Sequence, residues 1–268
     1  MRIAIRHQLS FTPPPGTQHA VMQLLLTPQT GPSQTIESWS VEAPGIGNAG
    51  RFNDAFGNMA HLVNQTRPDG PLTVTVKGVV ATVDRHGVLG RPGGEPVPAI
   101  YKRVTPLTKV PAGLYSKFRN SKESRLDILH GLMARVSEAL GAAEDESQTQ
   151  MQADGKQSQG QGAVKAAAPA ADYAHGFIGA ARALGIPARY VTGYLAGDAE
   201  SPAAFHAWAE AFDDGLGWIG FDPMLLLCPT DRHVRLAAGL DALGTQPLRA
   251  VPAGDGTRDM GVTIELAP

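Results

Sequence analysis

Ala204-Phe205-His206-Ala207-Trp208-Ala209-Glu210-Ala211-Phe212, then Asp213-Asp214-Gly215, then Gly217-Trp218-Ile219-Gly220-Phe221-Asp222, is the stretch on which the fold turns. Two apolar runs flank a turn made of the residue types that accept tight backbone geometry, the pattern of a β-hairpin. Along the first strand His206, Trp208 and Glu210 share one face, while Phe205, Ala207 and Ala209 share the other. If the strands pair through the turn, the His206 imidazole and the Asp222 carboxylate meet on one face, as a base and the group that orients it.

Upstream of this hairpin, Ala188 to Leu195 reads as another strand. Before it, Tyr173, Phe177, Ala180, Ala181 and Leu184 recur at helical spacing behind Pro169, whose missing N–H suits a helix start. Gly185 closes that helix. An earlier helix opens at Glu123, carries Leu126, Leu129, Leu132, Met133, Val136 and Leu140 on one face, and is expected to stop at Gly141. Residues 142–164, rich in Gln, Ser and Gly, are expected to form an exposed mobile loop. Helix on antiparallel sheet makes this half an α+β unit.

The first 115 or so residues read differently. Met1 to Leu9, Ala20 to Thr27, Thr35 to Val41 and Leu72 to Val83 are short β segments broken by turns such as Pro13-Pro14-Pro15-Gly16. Leu72, Val74 and Val76 alternate with Thr73, Thr75 and Lys77, the period of a half-buried strand. The expectation is an N-terminal antiparallel β-sandwich over 1–115 followed by a core domain over 116–268.

At these residues the chain resembles the transglutaminase-like superfamily, in its bacterial form with an N-terminal β domain. The resemblance rests on Asp172-Tyr173-Ala174-His175, on Ala181-Arg182-Ala183-Leu184-Gly185-Ile186-Pro187-Ala188-Arg189-Tyr190-Val191-Thr192-Gly193-Tyr194-Leu195, on His206-Ala207-Trp208, and on Gly217-Trp218-Ile219-Gly220-Phe221-Asp222-Pro223. Asp54-Ala55-Phe56-Gly57-Asn58 adds a weaker match in the β domain. The resemblance implies a papain-like core whose Cys, His and Asp act together, the Cys heading the helix where the dipole stabilises a thiolate.

Here the family pattern fails at one point. Aligned on Asp172 to His175, the family's Gly-Val-Cys-Gln becomes Ala168-Pro169-Ala170-Ala171. A methyl group attacks no carbonyl, and removing one member of a nucleophile–base unit removes most of its catalysis. The resemblance therefore implies a pseudoenzyme: His206 and Asp222 persist, Ala170 holds the place of the nucleophile, and Asp172, Tyr190, Tyr194, Trp208 and Trp218 are candidates to line a groove. Its ligand is expected to be a peptide or amide-bearing chain, or its partner a protein such as an active homologue. The rival reading is a working amidase, peptidase or acyltransferase, either with a relocated nucleophile such as Cys228, or Lys165 or a Ser/Thr of the loop before the helix, or with a natural form that has cysteine in place of Ala170.

Blander readings stand beside these. The His206–Asp222 bond fixes two strands with or without chemistry. Cys228, the one cysteine, lies in an apolar run and reads as a core residue; it excludes an internal disulfide. His206, Asp222 and His233 lack any established metal-ligand spacing, so no metal is expected, and no cofactor. Arg232 and Arg235, like Arg249 and Arg258, read as solvated. With 23 basic and 25 acidic residues interspersed and a net charge of -2, nucleic acid and membrane surfaces are poor partners. No apolar run approaches the roughly 20 residues of a spanning helix, and a cytoplasmic setting is expected.

Overall fold

The computed structural model describes residues 1–153, 169–199 and 202–267. Six strands come first: β1 (Arg2–Phe11), β2 (His19–Thr27), β3 (Gln34–Glu42), β4 (Gly50–Asn53), β5 (Met59–Thr66) and β6 (Leu72–Thr82). β7 (Val88–Gly90) precedes the helices α1 (Arg125–Ala153) and α2 (Ala170–Ala183). β8 (Ala188–Leu195), β9 (Ala204–Asp213), β10 (Gly217–Phe221), β11 (His233–Gly239), β12 (Leu248–Val251) and β13 (Thr257–Leu266) complete the chain.

β1 shows why these segments are strands: Ile3, Ile5, His7, Leu9 and Phe11 turn inward while their neighbours face out, the two-residue period of a pleated chain. It pairs with β6 and β13 in a sheet ordered β13-β1-β6-β3. The second sheet runs β12-β2-β5-β4. Ile5 and Val76 of the first sheet join Met22 and Val63 of the second in one apolar core. The third sheet, β11-β8-β9-β10-β7, carries α2 on one face. All pairings are antiparallel. The fold is mixed, with sheet dominating and two α-helices among the described residues.

Strand pairing crosses the expected boundary at 115 in both directions. β7 adds to the edge of the core sheet beside β10, and β12 and β13 return to pair with β2 and β1. The chain's last strands thus belong to the N-terminal sheets by hydrogen bonding.

α1 also departs from expectation. Ser124 Oγ accepts from the Asp127 N–H at 3.1 Å and donates to the Asp127 carboxylate at 2.6 Å, which fixes the start. Gly141 does not end the helix, which continues to Ala153: its φ is not positive, and Ala142, Ala143 and Glu144 after it are good helix formers. Of the loop expected over 142–164, the part beyond residue 153 lies outside the described residues.

α2 buries residues from Tyr173 through Arg182. Gly179 is required by close approach, because a Cβ there would lie 2.4 Å from the Thr108 carbonyl oxygen. Arg182 anchors the helix end from inside. It donates to the carbonyls of Tyr101 (2.9 Å), Ala188 (2.9 Å) and Leu240 (2.7 Å) and to Thr108 Oγ1 (3.1 Å), so every nitrogen of the buried cation donates. No helix among the described residues is long and apolar enough to cross a membrane.

Candidate functional site

β9 divides its side chains as the sequence pattern requires. Ala207, Ala209 and Ala211 pack in the cluster that includes α2, where small residues let the helix approach the sheet. Trp208 packs on the opposite face against Val191 and Ala238, and His206 shares that face, its ring stacked beside Trp208 at 6.3 Å. The hairpin closes as expected: Asp213 Oδ1 accepts from the N–H groups of Gly215 (2.8 Å) and Leu216 (2.9 Å), and β9 and β10 pair from Asp213 to Ala209.

Asp222 follows the last residue of β10 and is wholly buried. Its Oδ1 accepts from the N–H groups of Met224 (3.1 Å) and Leu225 (3.2 Å), a local turn that fixes the carboxylate. Its Oδ2 lies 2.5 Å from His206 Nε2 and 3.2 Å from His233 Nε2. The expected pair is therefore a trio, its third member brought in by β11. Burial alone would raise the Asp222 pKa; the hydrogen bonds and charges of the two imidazoles overcome it and hold the carboxyl at about 2.

The tautomer of His233 follows from its other nitrogen. Nδ1 lies 3.2 Å from the Thr230 N–H and accepts from it, so neutral His233 carries its proton on Nε2 and donates to Asp222. The three ligand-type atoms lie within 4.8 Å of one another, a metal-like gathering. A protonated Nε2 has no lone pair for a metal, and the carboxylate is already engaged four ways, so the trio fits a hydrogen-bonded unit better than a coordination site.

Residues 3–81 match the bacterial transglutaminase-like N-terminal region, and residues 130–223 match the core of the transglutaminase-like superfamily. The chain belongs to the transglutaminase-like superfamily. An uncharacterized protein of Mycobacterium leprae is 23% identical over 296 residues, covering 99% of this chain and 98% of its own. A candidate cysteine protease from Cytophaga hutchinsonii superposes with a TM-score of 0.66 at 19% identity, over 99% of this chain and 89% of the other. At that identity the likeness shows the fold alone.

Within the transglutaminase-like core, α2 begins at Ala170 after Pro169. Ala170 and Ala171 are half-buried and pack on the apolar cluster between α2 and the sheet. Asp172 is exposed in the first helical turn, where its charge complements the unpaired N–H groups. Lys165, a relocated nucleophile on the rival reading, lies outside the described residues. Cys228 packs against the same apolar cluster, and burial pushes its thiol up. Its sulfur does not belong to the His206–Asp222–His233 group.

The other groove candidates separate. Trp208 lines a small cavity with His233 and Arg235. Tyr190 is core, stacked on His175 at 4.8 Å. Tyr194 is closed in between the sheets, its hydroxyl 3.2 Å from His7 Nδ1. Trp218 lies under the Arg189 guanidinium, 3.9 Å from its ring centre. Arg235, expected to be solvated, instead donates to the buried Glu210 at 2.9 Å. Arg232 pairs with Asp198. Sequence reasoning missed the Glu210 ion pairs; a glutamate on the inward face of β9 was the signal for them.

Proposed function

We propose that this protein is a transglutaminase-like pseudoenzyme that binds a peptide or amide-bearing chain, or an active homologue, and does not acylate. The observation that carries this reading is Ala170 at the head of α2, the position of the nucleophilic cysteine in the family's motif. Cys228 does not replace it, since its thiol is held protonated by burial and stands outside the His206–Asp222–His233 group. The retained imidazole and carboxylate then serve as a fixed polar wall. Nε2 of His206 is spent on Asp222, leaving Nδ1 as the nitrogen available to a ligand. A cytoplasmic setting belongs to the same proposal.

The test is paired. The unaltered chain is expected to form no acyl adduct and to release no ammonia or amine from glutamine-containing peptides. Ala170→Cys is expected to gain labelling at position 170 by iodoacetamide. Turnover by the unaltered chain would end the pseudoenzyme reading.

A further inference from the structure

Four charged side chains that the His206–Asp222 reading leaves unused meet on the face of the core sheet opposite α2. Arg189 of β8 donates from Nε to Glu210 Oε2 at 2.5 Å and from Nη1 to Glu95 Oε2 at 2.7 Å. Arg235 of β11 donates from Nε to Glu210 Oε1 at 2.9 Å, and its Nη2 lies 3.8 Å from Glu95 Oε1. Glu210 is thus held by one guanidinium on each oxygen and is fully buried. Glu95 is held less well, by one short bond to one oxygen.

That single bond leaves one Arg189 donor without a well-formed hydrogen bond. Arg189 is 1% exposed, and its Nη2 has no acceptor among the described residues. The buried Tyr101 hydroxyl lies beside the same guanidinium and interacts with it, short of full hydrogen-bonding geometry. A buried donor without a good acceptor is costly, because it has given up water for nothing. The partner that satisfies a guanidinium best is a planar carboxylate taken by two N–H groups at once.

There is room for one. A cavity of about 90 Å³ is bounded by Ser33, Gln34, Leu89, Glu95, Arg189 and Arg235. It shares Ser33, Leu89 and Arg235 with the smaller cavity that touches Trp208 and His233. Glu95 reaches it from an irregular loop in which Gly93 and Gly94 are exposed, Gly94 at φ 79°, and a Cβ at either glycine would meet nothing nearby. Two unhindered glycines are the hinge that swinging Glu95 out needs.

We propose that Arg189 and Arg235 form a receptor for the carboxylate of an external ligand, and that Glu95 is a built-in stand-in which that ligand displaces. Charge supports the exchange. With Glu95 swung out, two guanidiniums face Glu210 alone, and the surplus positive charge is neutralised by one incoming carboxylate. A phosphate dianion would overshoot that balance. The inference does not rest on the state of position 170.

The experiment titrates the full chain with N-acetylglycine and, at matched ionic strength, with its neutral amide. Tryptophan emission, to which Trp218 beneath Arg189 contributes, and melting temperature are both followed. The acid is expected to give a saturable response and the amide none. Glu95→Gln, which removes the internal competitor, is expected to tighten binding by about tenfold or more. Arg235→Gln, at a partly exposed position, is expected to abolish it. Equal responses to acid and amide, no saturable response in either the wild type or Glu95→Gln, or an affinity unchanged by Glu95→Gln would overturn the proposal. So would binding of inorganic phosphate where the acid fails.

Discussion

His233 Nε2 lies 3.2 Å from Asp222 Oδ2, on the oxygen that already receives His206. One carboxylate therefore organises two imidazoles from two strands, and removing it would strand both.

The acid stability of the protein follows from this arrangement. His233, His7 and His175 have pKa values lowered chiefly by burial. A base whose folded pKa is depressed contributes stability above its unfolded value, about 6.5, and that stability is lost as pH falls through it. Asp222, at about 2 when folded against 3.8 as the ordinary value, adds about 2 kcal/mol that is lost between about pH 4 and pH 2. Chemical denaturation across pH should show two declines, and Asp222→Asn should lose the lower one and cost about 2–3 kcal/mol at pH 7. A flat profile below pH 4 in the wild type would contradict the assignment.

Zinc should not stabilise the protein. His233 Nδ1 receives the Thr230 N–H, so Nε2 is protonated and faces Asp222 as a donor. Nitrogen-15 NMR should report the Nε2–H tautomer for His233 near pH 7. A saturable rise in melting temperature with zinc, lost in His233→Ala, would show that the trio coordinates after all.

The thiol of Cys228 should be sluggish. It is half-buried, raised by burial alone, and crowded by Gly87, where a Cβ would come within 2.8 Å of the Cys228 Cβ. Labelling by a disulfide reagent should run about tenfold or more slower on the native chain than on the denatured one. Cys228→Ser should leave ligand binding intact.

Gly193→Ala should be severe although Gly193 sits in a regular strand. Its Cβ would fall 2.1 Å from the Val234 carbonyl oxygen and 2.6 Å from the Trp208 ring. Relief requires moving Trp208 or parting β8 from β11, with an expected cost of about 1–3 kcal/mol or more. The melting temperature should fall, and the His206 and His233 ring signals should shift because both rings pack against Trp208.

Much of this was legible in the residues themselves. Period-two alternation marked β1 and β6, helical spacing marked α2, and the Asp213-Asp214-Gly215 turn between two apolar runs fixed the hairpin that joins His206 to Asp222. Such features are local, so backbone geometry and side-chain alternation write them directly into short stretches of sequence. Gly141 misled because a glycine ends a helix only where the chain needs positive φ, and here the following residues favour continuation.

What the amino-acid order determined by itself was the helix and strand segments, the polar face carrying His206 and Glu210, and the missing thiol at residue 170. Only the tertiary structure decided that β13 pairs with β1, that His233 joins Asp222, and that Glu95 reaches Arg189 at a sequence separation of 94. Those contacts depend on register and on which sheet edges meet. They leave no periodic trace along the chain, because their partners are set by the packing of whole layers and not by neighbouring residues.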